Sequence, residues 1–383
     1  MTDTSADEKP ARRLTAWNRS DRILAGGPSG ETIAQRLEQL VAHAPDSYDL
    51  IDWTDIYGNG VVSGLERRVA GLLGTEAAAF FPTGTMAQQV ALRCWAGRTG
   101  SPTVAIHPLA HPEVWERDAL SMVSGLRTVH PTTEPRLPTA AEVRDLDEPF
   151  GTLMLELPLR DAGFVLPSWE ELTAVVVAAR EREAVVHIDG ARLWECAPHF
   201  RRALPEIAAL ADSACTSRST SRSAVCPGPR WPVRRAWSTS RRPGGTATAG
   251  FQQWPAALAA LAGLDRELPR LPECPAVPHT HQFQVWLPHP AEVLNEAGVR
   301  QAEETRTTLF RTWEDAGVPG LAKTELTVAA PGLEWTEADV AEAVAGFLER
   351  VERVERAARA ERAERERPEV PEGAEPVEPK SGG

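Results

Sequence analysis

The residues with the clearest chemical potential stand at the end of one apolar run. In Ala184-Val185-Val186-His187-Ile188-Asp189-Gly190-Ala191-Arg192-Leu193-Trp194, β-branched residues lead into Asp-Gly-Ala-Arg. Such a run reads as a buried parallel strand that delivers a carboxylate and a guanidinium to the carboxyl edge of a sheet, where α/β proteins place ligands. The simpler alternative is a strand end at which Asp189 caps the next helix. A second stretch runs from Ala77 to Leu92: a small apolar strand turns through Thr83-Gly84-Thr85 into an amphipathic helix. That turn aims free backbone N–H groups and a helix dipole at one point, which suits an anion such as phosphate; an ordinary helix cap at Thr83 or Thr85 is the plain alternative. A third candidate is His111, which follows the strand predicted over Thr103–His107, although a lone histidine is more often structural.

These residues need a scaffold, and the apolar periodicity supplies one. Helices are predicted over Glu31–Ala44, Val62–Leu73 and Trp169–Arg182, with Gly74 ending the second in a left-handed conformation. A helix is expected over Glu113–Leu120, and Leu153–Leu157 reads as a buried strand with Glu156 and Arg160 near its end. Strand and helix alternate from about 77 to 195, which predicts an α/β fold whose mostly parallel sheet is covered by helices. Further on, a helix over Trp254–Leu264, a strand over His281–Leu287, a roughly helical Val293–Ala316, a strand over Thr324–Ala329 and a long helix from Glu337 to about Arg365 are expected.

Composition narrows the class. The 383 residues carry 41 basic and 54 acidic side chains, a net charge of −13 that argues against a general nucleic-acid footprint, including one built on the arginines from Arg218 to Arg242. Five cysteines without a CxxC pair indicate neither a disulfide framework nor a zinc site. Met1–Ser20 has no apolar signal core, and no run of about 18 uncharged apolar residues occurs, so a cytoplasmic protein without membrane insertion is expected. Lysine is scarce: Lys9, Lys323 and Lys380 are the three.

Taken together, FFPTGTMAQQVALR, His111 and HIDGARLWE resemble the threonine aldolase and β-eliminating lyase family, pyridoxal-phosphate enzymes of the aspartate aminotransferase fold. The resemblance covers about residues 50–213 and 252–350. It implies a large domain with a seven-stranded-type sheet and a smaller α+β C-terminal domain. The expected segments are a disordered lead over 1–20, the arm and large cofactor-binding domain over 21–265, the small domain over 266–350, and a charged helix end and disordered tail over 351–383. By resemblance, Thr83, Gly84 and Thr85 hold the phosphate of pyridoxal 5′-phosphate, His111 stacks on its ring, Asp189 pairs with the ring nitrogen, and Arg192 holds the cofactor or the substrate carboxylate. The implied reaction is retro-aldol cleavage of a β-hydroxy-α-amino acid, such as threonine to glycine and acetaldehyde, in a homodimer or homotetramer without nucleic-acid or membrane partners.

The chain departs from the family pattern after Ala211-Asp212-Ser213, where a strand ending in the Schiff-base lysine is expected near Thr220–Ser221. Instead, residues 214–250 are crowded with Ser, Thr, Arg, Pro and Gly, and no lysine lies between Lys9 and Lys323. Permitted codons for Ala214–Arg222, read from the third base, give Val-Tyr-Val-Ser-Phe-Tyr-Lys-Ser, a strand followed by a lysine. The segment therefore reads as a frame-shifted translation restored before about Gln252; the alternative is a catalytically inactive family member that binds pyridoxal phosphate non-covalently or not at all. The family's longer helix before the small domain is also missing around Cys274.

Overall fold

A computed structural model describes residues 5–25, 32–53, 58–218, 221–228, 254–267, 278–328 and 330–365. Thr220 and most of the aberrant stretch, as well as Cys274, lie outside these residues. The chain divides into a larger unit, residues 26–284 with 325–330, and a smaller one formed by 1–25, 285–324 and 331–383. The division falls at 284/285 rather than after 265, and the smaller unit takes in the amino-terminal residues.

Helix α1 (Ser5–Asn18) stands where a disordered lead was expected. Its order comes from partners remote in sequence: Ala16 is buried with Val299 and Ala302, and Arg12 bridges Glu296 at 3.0 Å and Glu303 at 2.7 Å. Strand β1 (Arg22–Ile23) then pairs in parallel with Thr307–Thr308. Nothing within the polar first 20 residues announces these contacts.

The larger unit begins with α2 (Ile33–His43), closed at its start by a capping box between Thr32 and Gln35, and α3 (Val61–Leu73). Helix α3 buries Val61, Val62, Leu65, Val69 and Leu73, a helical stripe, and ends at Gly74 with φ 62° as its position implied. A side chain there would also meet Pro205 at 2.9 Å. Next come β2 (Ala77–Phe81), α4 (Gly84–Thr99), β3 (Thr103–Ala105), α5 (His111–Trp115), α6 (Ala119–Met122) and β4 (Arg127–Val129). The single helix expected over Glu113–Leu120 is broken in two because Arg117 and Asp118 take left-handed conformations, φ 47° and 58°. After α7 (Ala140–Arg144) the chain forms β5 (Thr152–Glu156), α8 (Trp169–Glu181), β6 (Val185–Gly190), α9 (Ala197–Phe200), α10 (Leu204–Ala208), β7 (Ser213–Arg218), β8 (Ser221–Gly228) and α11 (Trp254–Glu267).

Seven strands make one sheet in the order β2-β8-β7-β6-β5-β3-β4. Strands β7, β6, β5, β3 and β4 are mutually parallel, and β8 runs antiparallel to both β7 and β2. This is the mostly parallel, helix-covered sheet that the alternating pattern implied. Every residue of β5 is buried, as are Val186–Gly190 of β6, which is why both read as unbroken apolar runs. Cys94 and Cys196 form no disulfide, whereas Cys215 on β7 is disulfide-bonded, against the expectation from an odd cysteine count. The antiparallel β7/β8 ladder, which holds side chains of neighbouring strands close, is what local sequence could not foretell.

In the smaller unit, the helix predicted to reach Ala316 stops at Thr305 because Arg306 turns left-handed at φ 55°. Phe310, Trp313 and Phe347 pack edge-to-face and stacked, with centroids 4.9 to 6.1 Å apart. The helix expected from Glu337 to about Arg365 is found over Glu337–Arg365. No helix among the described residues is long and apolar enough to cross a membrane.

Candidate active site

Parallel pairing of β5 with β6 sets Glu156 directly beside Asp189 at the carboxyl edge of the sheet. Both carboxylates are buried. Asp189 accepts from the backbone N–H of Ala191 at 3.2 Å, and burial raises its pKa. Glu156 accepts from the N–H of His111 at 2.7 Å and of Arg160 at 3.3 Å. Burial, and then the charge of Asp189, push Glu156 up to about 8. Two adjacent carboxyls in low dielectric cannot both ionise cheaply, so Glu156 keeps its proton at neutral pH and Asp189 too is held above its ordinary range.

Thr83 caps α4, its side chain accepting from the N–H of Met86 at 3.2 Å. A Cβ built on Gly84 would meet nothing within 4 Å, so the first turn of α4 fronts open space. The cap reading and the anion reading thus coexist: Thr83 satisfies one orphan N–H while the glycine leaves the helix end accessible. Thr85 hydrogen-bonds Glu116, a buried carboxylate that also accepts from Gln89 Nε2 at 3.1 Å and faces His111 Nδ1 at 3.4 Å. The His111 pKa is raised, chiefly by Glu116 and further by the carboxyls of Asp189 and Glu156. Thr85, His111 and Asp189 therefore share one neighbourhood.

Arg192 follows the strand end, its guanidinium 5.1 Å from the centroid of the Phe164 ring and its Nε without a hydrogen-bond partner among the described residues. Its charge lowers the pKa values of both Asp189 and Glu156 against the effect of burial. On β7, Thr216 is paired with Gly190, and its buried Oγ1 also has no hydrogen-bond partner there. Gly190 is required by packing, because a Cβ would lie 2.9 Å from Leu193 Cβ. The expected lysine position near Thr220–Ser221 has no described side chain; the lysine whose side chain is described, Lys323, stands 5.7 Å from the Trp286 ring in the smaller unit. No lysine occurs anywhere in the larger unit.

Glu116 and Thr216 were not marked by local sequence as site residues. Glu116 lies in a stretch that reads as one helix with a solvated charge, and only the break at Arg117 and Asp118 turns it inward. A third pair, Glu195 and His281, approaches to 3.4 Å beside Arg192. Burial raises Glu195 to about 8 and, with the charge of Arg192, lowers His281 to about 4, so both are neutral at pH 7.

These acids make stability pH-dependent. Glu156 and Glu195, displaced from 4.5 to about 8, hold protons in the folded chain that the unfolded chain has lost, so stability falls as pH rises towards 8. Below about 6.5, His187 at about 3 and His281 at about 4 act in the opposite sense, taking up protons on unfolding. In the uncompensated window between 6.5 and 8, the two carboxyls are expected to lower the unfolding free energy by about 2–3 kcal/mol per pH unit. Urea unfolding across that window reads the slope, and a flat or rising stability would contradict two neutral buried acids.

A parallel sheet with one reversed strand, a helix amino terminus open to an anion and a buried acid nearby at the strand end together define an α/β enzyme of the fold type I, pyridoxal-phosphate-dependent class. Residues 54–379 match the Beta-eliminating lyase family, and the chain belongs to that family, whose members are pyridoxal-phosphate-dependent lyases. The low specificity L-threonine aldolase of Escherichia coli strain K12 is 29% identical over 270 residues, 67% of this chain and 76% of that protein. A solved Listeria monocytogenes EGD-E structure assigned as an L-allo-threonine aldolase shares 27% identity with a TM-score of 0.75, covering 90% of this chain and 99% of that one. A structure from Exiguobacterium sp. 255-15, assigned as an aromatic amino acid β-eliminating lyase/threonine aldolase, gives 28% identity and a TM-score of 0.74 over 90% and 99% of the two chains.

Proposed function

We propose that this site binds pyridoxal 5′-phosphate and that the scaffold is built for retro-aldol cleavage of a β-hydroxy-α-amino acid, threonine to glycine and acetaldehyde. The chain with its present 214–250 segment binds the cofactor without a covalent link and is catalytically inactive. The observation that carries the reading is the meeting of Thr85, His111 and Asp189 through Glu116 and Glu156 at one sheet edge. The open space before Gly84 and the unpartnered polar atoms of Thr216 and Arg192 fit a phosphorylated, carboxylate-bearing ligand set.

When bound, the cofactor supplies a cationic ring that takes up the electrons released as a bond at the substrate Cα breaks. Thr83, Gly84 and Thr85 hold the phosphate at the helix end. Asp189 would pair with the ring nitrogen and keep its proton there, and His111 would pack against the ring. Arg192, whose Nε–H has no partner among the described residues, would hold the substrate carboxylate. What the larger unit lacks is an amine to anchor the cofactor and move the substrate proton.

The same reading places the protein in the cytoplasm as a homodimer or homotetramer. Ile33, Leu37 and Val41 form an exposed apolar stripe at helical spacing on α2, a surface of the kind that self-association covers.

Calorimetry with pyridoxamine 5′-phosphate, which needs no lysine, is the test. Saturable binding is expected, weakened about 10-fold or more by Thr83→Val and by Asp189→Asn through loss of charged hydrogen bonds. Borohydride treatment with pyridoxal 5′-phosphate should leave no adduct on a lysine. Absence of saturable binding, indifference to both substitutions, or an adduct on Lys323 would overturn the reading.

A further inference from the structure

His111 is held from two sides by carboxylates of different elements. Its backbone N–H is fixed by Glu156 on β5, and its ring Nδ1 faces Glu116 Oε1 at 3.4 Å. The Glu116 side chain is only 4% exposed. Its partners on the other side belong to α4: Gln89 Nε2 at 3.1 Å and the hydroxyl of Thr85, in the first turn behind the Thr83 cap. The helix carrying His111 ends as the chain reaches Glu116, and the two left-handed residues after it, Arg117 and Asp118, set the chain on a new course. A non-glycine residue in that region is strained, and two in succession mark a bend that surrounding contacts must enforce.

A buried carboxylate is costly unless it is paired, and each oxygen of this one faces a different wall of the site. We infer that Glu116 is a positioning residue: it ties the imidazole of His111 to the Thr85 end of the anion cup, so that filling the cup and orienting His111 become one event. The inference rests on the reading of the cup and His111 as a cofactor site, but the link between the two residues is a property of the chain alone.

Three carboxyl groups face His111: Glu116 at the end of its own helix, Glu156 from β5 and Asp189 from β6. Glu116 is the one that meets the ring nitrogen. Burial pushes the Glu116 carboxyl up, but the His111 imidazole 3.4 Å away, with Gln89 and Thr85, outweighs that and lowers it below its ordinary value. Removing its charge while keeping its shape should therefore release the imidazole and loosen the cup together.

The test is Glu116→Gln in the full-length chain, with two readouts. Histidine-labelled NMR, the His111 resonance assigned by its loss in His111→Asn, should show the His111 midpoint falling by about one pH unit. Pyridoxamine 5′-phosphate should bind about 10-fold more weakly, and Thr85→Val should add little further loss in the double variant, because both act through one link. Glu113→Gln, which removes the carboxylate 3.2 Å from His130, should leave both readouts unchanged. An unaltered His111 midpoint in Glu116→Gln, or fully additive losses in the double variant, would overturn the inference. A purely structural glutamate would lower stability without moving that midpoint. If pyridoxamine 5′-phosphate does not bind the parent chain, the cofactor reading falls, and the midpoint in the unliganded protein still decides the Glu116–His111 link.

Discussion

Translating the segment after Ser213 in its alternate frame will give a chain that releases acetaldehyde from threonine, where the 383-residue chain releases none. The expectation follows from the position of β7. That strand lies parallel to β6 with Cys215 beside Asp189 and Thr216 beside Gly190, so its carboxyl end points to the same edge as the buried acid. A lysine in place of the Thr220–Ser221 junction would follow that end by a few residues. An amine there would both anchor a cofactor aldehyde and accept a proton, and the larger unit as it stands contains no lysine to form that covalent link. The gain should be on the order of 10³-fold or more over background, the scale of a lost general base and covalent anchor together. An aldehyde-coupled assay measures it, and alanine in place of the new lysine should abolish it. A restored chain that binds the cofactor yet gives no aldehyde from any threonine isomer would sink the idea, as would coding DNA in which residues 210–255 stand in an undisturbed frame.

The second large effect is on stability. His187 is fully buried two residues before Asp189, with Nδ1 2.7 Å from Ser213 Oγ and Nε2 2.7 Å from Gln88 Oε1. Trp95 Nε1 stands 2.7 Å from the same Ser213 oxygen. The protons can be assigned from this chain of contacts. The indole N–H can only donate, so it donates to Ser213, whose O–H donates to Nδ1, and the remaining Nε2–H donates to Gln88. Burial lowers the imidazole to about 3, so it stays neutral, as this order of donors requires. The network joins α4 to β6 and β7, and thereby the anion cup to the strand that carries Asp189. His187→Leu would leave Gln88 Oε1 without its donor and the Ser213 O–H without its acceptor, and should cost about 3–5 kcal/mol, from these two lost hydrogen bonds plus imperfect packing. Urea denaturation monitored by tryptophan fluorescence would show it, and a loss below about 1 kcal/mol would mean that the cluster is not tightly packed.

Not all of the site was equally visible beforehand. The strand ending in Asp189, the helix start at Thr83 and the end of α3 at Gly74 all rest on neighbours within a few residues, and they stand where the local pattern placed them. The supporting groups did not show in that pattern. Glu156 reaches His111 across 45 positions, Glu116 reaches Gln89 across 27, and His187 reaches Gln88 across 99. In a one-dimensional reading each is an unremarkable polar residue in an apolar or charged stretch, because its role depends on what burial leaves it to pair with.

By itself, the sequence determined the alternation of strand and helix, the residue types proposed to meet a phosphate and a ring nitrogen, and the lack of any lysine between Lys9 and Lys323. Periodicity, turn chemistry and composition are local or countable, and they need no knowledge of contacts. Only the tertiary structure decided that residues 5–18 form a helix held by Glu296 and Glu303 rather than a loose lead. It alone set Glu156 beside Asp189 and broke the chain after Glu116 so that its carboxylate turns inward. The physical reason is common to all three. The protonation and placement of a buried charge are fixed by desolvation and by partners from distant parts of the chain, and both come into being only when the sheet is assembled.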